Sequence, residues 1–309
     1  MTAPRSRFLA LSLAGLVGSI VLAGCGDDPE PTASDPGGSD SSSAAGSPTP
    51  EPSTEPSTEP EPSETESSST ETVTVPVYFS GDTPQGPRLF REFRKVAANN
   101  PLAEAAALMT AGDAQDPDYG TLFPAGGFAS VSYGDGGFVV ELADDTYTTA
   151  PGGMTQQAAR LAAQQLIYTL QGVQQKRDPV TVELDGRPTT LFGIDTAGGL
   201  TEAPQIDVLG LVSVTSPEEG ATVSGKFTAS GVASSFEATV PWRIRQGEKV
   251  VLEGFATAEG WMDKLYPWQS EVDVSGLAPG EYTFEASTDD PSGGEGSGPT
   301  VDTKTITVK

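Results

Sequence analysis

Apolar and polar positions alternate with period two over residues 73–79. Val73, Val75, Val77 and Phe79 share one face and Thr74, Pro76 and Tyr78 the other, the pattern of a half-buried strand. Pro76 has no amide proton to give a ladder, which places this strand at a sheet edge. Residues 89–96 supply a second strand. The period then lengthens. Asn100 and Pro101 open a helix with Leu102, Ala105, Ala106 and Met109 on one side, and Gly112 closes it. Two apolar runs, 129–133 and 138–142, flank Gly134-Asp135-Gly136-Gly137, a hairpin signal. A longer helix follows, capped by Thr155 and ending near Gly172, with Ala159, Ala163, Leu166, Leu170 and Val173 in its stripe. Strands over 180–184 and 189–194 flank Asp185-Gly186-Arg187. This order predicts an α+β two-layer domain over 73–198.

Beyond a connector at 199–205 the pattern changes to short strands only, over 206–309. Phe236, Ala238, Val240, Trp242 and Ile244 point one way, with Glu237, Thr239, Arg243 and Arg245 opposite. Further strands are predicted at 208–214, 222–229, 249–255, 268–274, 281–287 and 303–308. Seven short strands separated by turn signals predict an all-β immunoglobulin-like sandwich.

The front of the chain has neither period. Arg5 and Arg7 precede an apolar run over 8–22, the form of an export signal at 1–24 and too short to span a membrane comfortably. Residues 26–72 are rich in Ser, Pro, Glu and Thr, with twelve acidic residues and no basic one. Such a segment buries too little apolar surface to offset its conformational entropy, so a disordered tether is expected over 25–72. As a coil its mean reach is ~40 Å.

Composition narrows the chemistry. The 309 residues hold 17 Lys plus Arg against 43 Asp plus Glu, a formal net charge of −26, which disfavours nucleic acid as a partner. There is no histidine, which excludes Ser-His-Asp, Cys-His and HExxH chemistry. Cys25 is the one cysteine, so no intramolecular disulfide or CxxC pair exists. No Walker or dinucleotide glycine pattern is present, and no cofactor is expected.

Three stretches carry resemblances. Leu22-Ala23-Gly24-Cys25 resembles the lipobox of bacterial lipoproteins, which implies cleavage between Gly24 and Cys25 and a lipid on the Cys25 thiol. The protein would then sit on the outer face of the cytoplasmic membrane. Val75-Pro-Val-Tyr-Phe, the helix after Asn100-Pro101, Leu122-Phe123-Pro124, the strand over 136–142 and Val182-Glu-Leu-Asp-Gly-Arg together resemble a GerMN domain, a family named for spore germination and sporulation. That likeness implies a noncatalytic assembly module. Ser216-Pro217, Gly220, Gly225, Gly231 and the block from Phe236 to Ile244 resemble the immunoglobulin-like domain that accompanies GerMN in bacterial lipoproteins.

Candidate sites are few. Asp113, Asp116 and Asp118 loosely suggest a calcium loop, but an EF-hand counted from Asp116 requires glutamate where Gly127 stands. A polar loop after a helix accounts for them, and no metal site is expected. Adjacent Asp144 and Asp145 read as a loop rather than a catalytic pair. Trp242 and Trp268 read as core. Trp261, in a loop-like stretch, and Tyr266 are the candidate ligand contacts. Three functional readings follow. The first is a noncatalytic envelope scaffold that binds protein partners or itself, in sporulation, germination or envelope signalling. The second is a lipoprotein that binds cell-wall polysaccharide through exposed aromatics. The third is a carboxylate-dependent hydrolase, which lacks a groove signature.

Overall fold

The structure, a computed structural model, describes residues 71–290 and 295–309. The export signal, Gly24 with Cys25 and the tether over 26–70 lie outside the described residues. Among the described residues no helix is long and apolar enough to cross a membrane.

The first domain begins with β1 (Thr72–Gly81) and β2 (Arg88–Ala97), paired antiparallel along their whole length. Val75, Val77 and Phe79 of β1 are buried as the alternation requires, while Val73 is exposed. Then come α1 (Pro101–Ala111) and a two-residue strand, β3 (Tyr119–Gly120). Gly112 takes a left-handed conformation at the end of α1, as expected; the Asn100 side chain makes no capping hydrogen bond. β4 (Phe128–Gly134) and β5 (Gly137–Leu142) form the expected hairpin. Asp135 and Gly136 both have positive φ at its turn, as a type I′ connection demands.

α2 (Gln156–Gln174) carries the chain from β5 to β6 (Val180–Leu184), which pairs parallel with β5. β7 (Arg187–Pro188) continues that sheet in the order β4-β5-β6-β7. The strand expected over 189–194 is instead a small hairpin, β8 (Thr190–Leu191) and β9 (Ile194–Asp195), turning through Phe192 and Gly193 with φ of 51° and 80°. Both helices bury apolar faces against these sheets in one core that includes Met109, Leu166, Leu170, Phe79 and Val140.

The edge position inferred from Pro76 needs refinement. β1 is the middle strand in the order β2-β1-β3, but β3 pairs only with Ser80 and Gly81. Over the rest of β1 one side is covered by α2. The Tyr78 amide donates to Thr169 Oγ1 (3.1 Å), and Gln165 Nε2 donates to the Tyr78 carbonyl (3.0 Å). Two buried polar side chains of the helix thus take the place of a neighbouring strand. Gly172 does not stop the helix, which runs two residues further to a left-handed Gln175. A Cβ at Gly172 would lie 2.7 Å from the Pro76 ring, so this glycine lets helix and strand close together.

α3 (Gln205–Val208) occupies the approach to the second domain, where the start of a strand was expected at 208; the first strand begins at 212. That domain is a sandwich. One sheet contains β10 (Val212–Ser216), β12 (Lys226–Ala233) and β15 (Tyr266–Asp273). The other runs β11-β17-β16-β13-β14, made of β11 (Ala221–Val223), β13 (Thr239–Gln246), β14 (Lys249–Thr257), β16 (Gly280–Ser287) and β17 (Val301–Val308). The strand expected over 222–229 is two strands, because Gly225 (φ 57°) turns the chain from one sheet to the other. Val240, Trp242 and Ile244 face inward, but the residues before them form a tight turn that leaves Phe236 exposed. Trp242 and Trp268 are buried in the core.

Candidate functional site

The sequence-predicted contacts lie on one loop and its following strand, without meeting each other. Trp261 is 37% exposed and packs edge-on against Phe236, with ring centroids 5.2 Å apart. Tyr266 opens β15, half-buried; its hydroxyl donates to Asp263 Oδ1 (2.8 Å), and Lys264 Nζ lies 4.9 Å from its ring centre. The hydrogen bond to Asp263 raises the Tyr266 phenol above its ordinary pKa.

The three aspartates of the loop after α1 diverge, and each has a separate partner. Asp113 Oδ2 accepts from Arg94 Nη2 (3.1 Å). Asp118 Oδ2 accepts from Thr303 Oγ1 of β17 (2.8 Å). Asp116 is buried and pairs with Lys304, also of β17. Among the described residues no group of three or more His, Cys, Asp or Glu side chains is placed to hold a metal. Asp144 caps a single 3₁₀ turn over Asp145–Tyr147 by accepting from the Thr146 amide (2.9 Å), and the Thr146 side chain, then its amide, lower the Asp144 pKa.

Lys304 is the centre of a buried polar cluster where the two domains meet. Its ammonium donates to Asp116, to Asp302 Oδ1 (3.1 Å) and to the Tyr119 hydroxyl (3.0 Å). Tyr119 in turn donates to Asp302 Oδ1 (2.6 Å), and the Val214 amide donates to Asp302 Oδ2 (2.6 Å). On the first domain, Glu92 accepts from the amides of Gln115 (3.0 Å) and Asp116 (2.8 Å), which fixes the loop that presents Asp116. Burial works against the charged amine, yet Asp302 and Asp116 outweigh it and hold the Lys304 pKa above 10.5. Burial pushes the Asp302 carboxyl upward in spite of Lys304, Tyr119 and the Val214 amide. Burial, then Asp302 and Asp116, lift the Tyr119 phenol well above its ordinary 10.0.

Beside this cluster lies an apolar patch of Leu89, Leu161, Tyr168, Leu209 and Leu265. The Gly210 amide donates to the Leu89 carbonyl (2.9 Å), and a Cβ at Gly210 would meet the Phe90 ring at 2.4 Å. The seam therefore requires glycine there. Phe90 stacks on Tyr119 at 5.0 Å, which joins the apolar half to the ionic half. Sequence reasoning missed this cluster. The readable signal was the register of β17, where Asp302 and Lys304 fall on the same face as Ile306 and Val308. Two charges on a core face require partners from elsewhere.

The family model described as "Sporulation and spore germination" matches residues 76–190, and that described as "Immunoglobulin-like domain of bacterial spore germination" matches 211–295. The first domain is thus similar to one family and the second to the other. Neither description names a catalytic activity. No curated protein matches the chain. Among solved structures, the tandem GerMN domains of the sporulation protein GerM from Bacillus subtilis are 12% identical over 44% of this chain, with a TM-score of 0.31. This chain spans 46% of that structure's length. A putative lipoprotein from Clostridium perfringens is 14% identical, covering 40% of this chain and 80% of its own, at a TM-score of 0.26. An endo-β-1,4-mannanase from Thermotoga petrophila is 12% identical, covering 55% and 38% respectively, also at 0.26. The cluster around Lys304 joins the second domain to the first, and its acids and hydroxyls already hold internal partners.

Proposed function

We propose that the chain is a noncatalytic scaffold on the outer face of the cytoplasmic membrane, held by a lipid on Cys25. It presents its two domains as one piece to envelope proteins or to a second copy of itself, in a process related to sporulation or germination. The observation that carries this reading is the seam. A buried lysine shared by two aspartates, one from each domain, stabilises a fixed relative placement and supplies no free reactive group. The family descriptions, both from sporulation and germination, favour the same role. Mass spectrometry of the native protein tests the anchor. The expected result is an acylated Cys25 at the amino terminus, and Cys25→Ala should move the protein from the membrane fraction to the medium. An unmodified amino terminus, or protein in the cytosol, would overturn the reading.

A second reading, binding of cell-wall polysaccharide, is favoured by the loop tip around Trp261. Glu237, Ala238 and Met262 have φ of 50°, 60° and 87°. Left-handed non-glycine residues each cost about 1–2 kcal/mol. Elsewhere among the described residues such residues precede glycine in two-residue turns or end a helix. At this tip they lie beside the exposed Phe236, Trp261 and Met262, and backbone strain next to exposed apolar side chains favours a contact surface. Saturable binding of wall polysaccharide, lost in Trp261→Ala, is expected on this reading; equal binding by the variant would remove it.

A further inference from the structure

Along one side of the seam three cavities adjoin. One of about 450 Å³ lies between β1 and the end of α2 and is lined by Tyr78, Arg91, Phe93, Tyr168 and Arg177. A second, of about 410 Å³, shares Tyr168 and Arg177 and adds Glu202 and Lys264. A third, of about 190 Å³, shares Tyr78 and Arg91 and reaches Ser213 of β10. The shared residues make them one groove that crosses from the first domain to the second.

The groove's charge is opposite to the rest of the molecule. Arg91, Arg177 and Lys264 line it against one carboxylate, Glu202, which already accepts from Gln171 Nε2 (2.9 Å). The chain as a whole carries −26. Each of the three cations lies over an aromatic ring: Arg91 over Phe93 at 4.6 Å, Arg177 over Tyr168 at 5.8 Å and Lys264 over Tyr266 at 4.9 Å. Stacking of this kind holds a guanidinium by its face; Arg91 Nη2 donates to Thr215 Oγ1 (3.4 Å) and Arg177 Nη1 to Gln171 Oε1 (3.3 Å), and a guanidinium has further edge donors for a ligand. Burial raises the Tyr78 phenol while Arg91 and Arg177 both pull it back, so the two guanidiniums act on one point of the groove. Arg91 Nε and Ser213 Oγ are buried and have no hydrogen-bond partner, an uncommon cost in a folded protein.

We propose that this groove binds an acidic peptide segment of a protein partner, with carboxylates on Arg91 and Arg177 and apolar or proline side chains against Tyr78, Phe93 and Tyr168. Carboxylate fits the planar donor fork of arginine. The aromatic walls and the exposed amide of Gln175 suit a peptide's side chains and backbone. A dense polyanion has no apolar part for those walls and meets the field of the acidic surface around them. The scaffold reading enters only in making the ligand a protein.

The test uses the full-length protein in detergent and the peptide acetyl-Glu-Pro-Glu-Pro-Glu-Pro-amide, followed by calorimetry. Binding should weaken with added salt, and should be lost when every Glu of the peptide is Gln. Arg177→Gln, an exposed change, should weaken binding roughly tenfold, whereas Arg160→Gln, on α2 outside this groove, should leave it unchanged. Arg91→Gln should act like Arg177→Gln if it folds, as its melting curve will show. Equal binding by Arg177→Gln, equal binding of the Gln peptide, or tighter binding of polyphosphate would each overturn the proposal. Those failures would leave the Cys25 anchor standing, and an unacylated Cys25 would leave the groove standing.

Discussion

The two halves of the seam hold the domains together by different means. Leu89, Leu161, Tyr168, Leu209 and Leu265 meet as apolar surface, and that attraction has little preference for direction. Asp116, Lys304, Asp302 and Tyr119 meet through hydrogen bonds with fixed lengths and angles. A small slide along the seam would cost the leucines little, whereas the same slide would leave a buried ammonium facing the wrong atoms. The apolar half supplies attraction, and the ionic half selects one placement.

The comparison predicts unequal responses to truncation. Asp116→Ala removes one anion and leaves Lys304 buried with a single carboxylate, Asp302, so a loss of about 3–5 kcal/mol is expected in denaturant unfolding. Leu89→Ala opens a cavity in the apolar half and should cost roughly 2–4 kcal/mol. If the leucine change proves the larger, the ionic half is not the stronger constraint.

A pH titration sharpens the contrast. Lys304 has a raised pKa in the folded chain, so its stabilisation is complete below 10.5 and falls away as pH rises through the folded value. Tyr119 holds its proton in the folded state above 10.0 and acts in the same direction. The melting temperature should therefore fall more steeply above about pH 10 than in Lys304→Met, where the lysine's share is gone and the tyrosine contributions remain. Leu89→Ala should keep the full alkaline slope. A slope unchanged in Lys304→Met would remove the lysine from the account. The smallest effect is expected at the surface pair of Lys226 and Glu271, 2.7 Å apart with both side chains mostly exposed. Lys226→Ala should leave the melting temperature unchanged within error, because solvent screens such a pair.

Much of the fold was legible because its signals are local. The type I′ turn at Asp135-Gly136, the Pro101 start and Gly112 end of α1, and the alternation of Val75, Val77 and Phe79 each follow from a few adjacent residues. The misreadings share a cause. Gly172 looked like a helix stop, yet it serves a contact with Pro76, nearly a hundred positions earlier in the chain. Phe236 continues the alternation of Ala238, Val240 and Trp242 in the sequence, but positive φ at Glu237 and Ala238 turns the backbone first. Asp116 looked like loop polarity because its partner, Lys304, is 188 residues away.

By itself the sequence determined the two domain types, the acidic surface, and the absence of histidine and disulfide chemistry, since composition and short-range period suffice for these. Only the tertiary structure decided that Lys304 serves two aspartates, that the seam has an ionic and an apolar half, and that Arg91, Arg177 and Lys264 line one groove. The physical reason is that burial and charge pairing depend on distance in space. Chain order carries no record of which distant side chains will share a low-dielectric pocket.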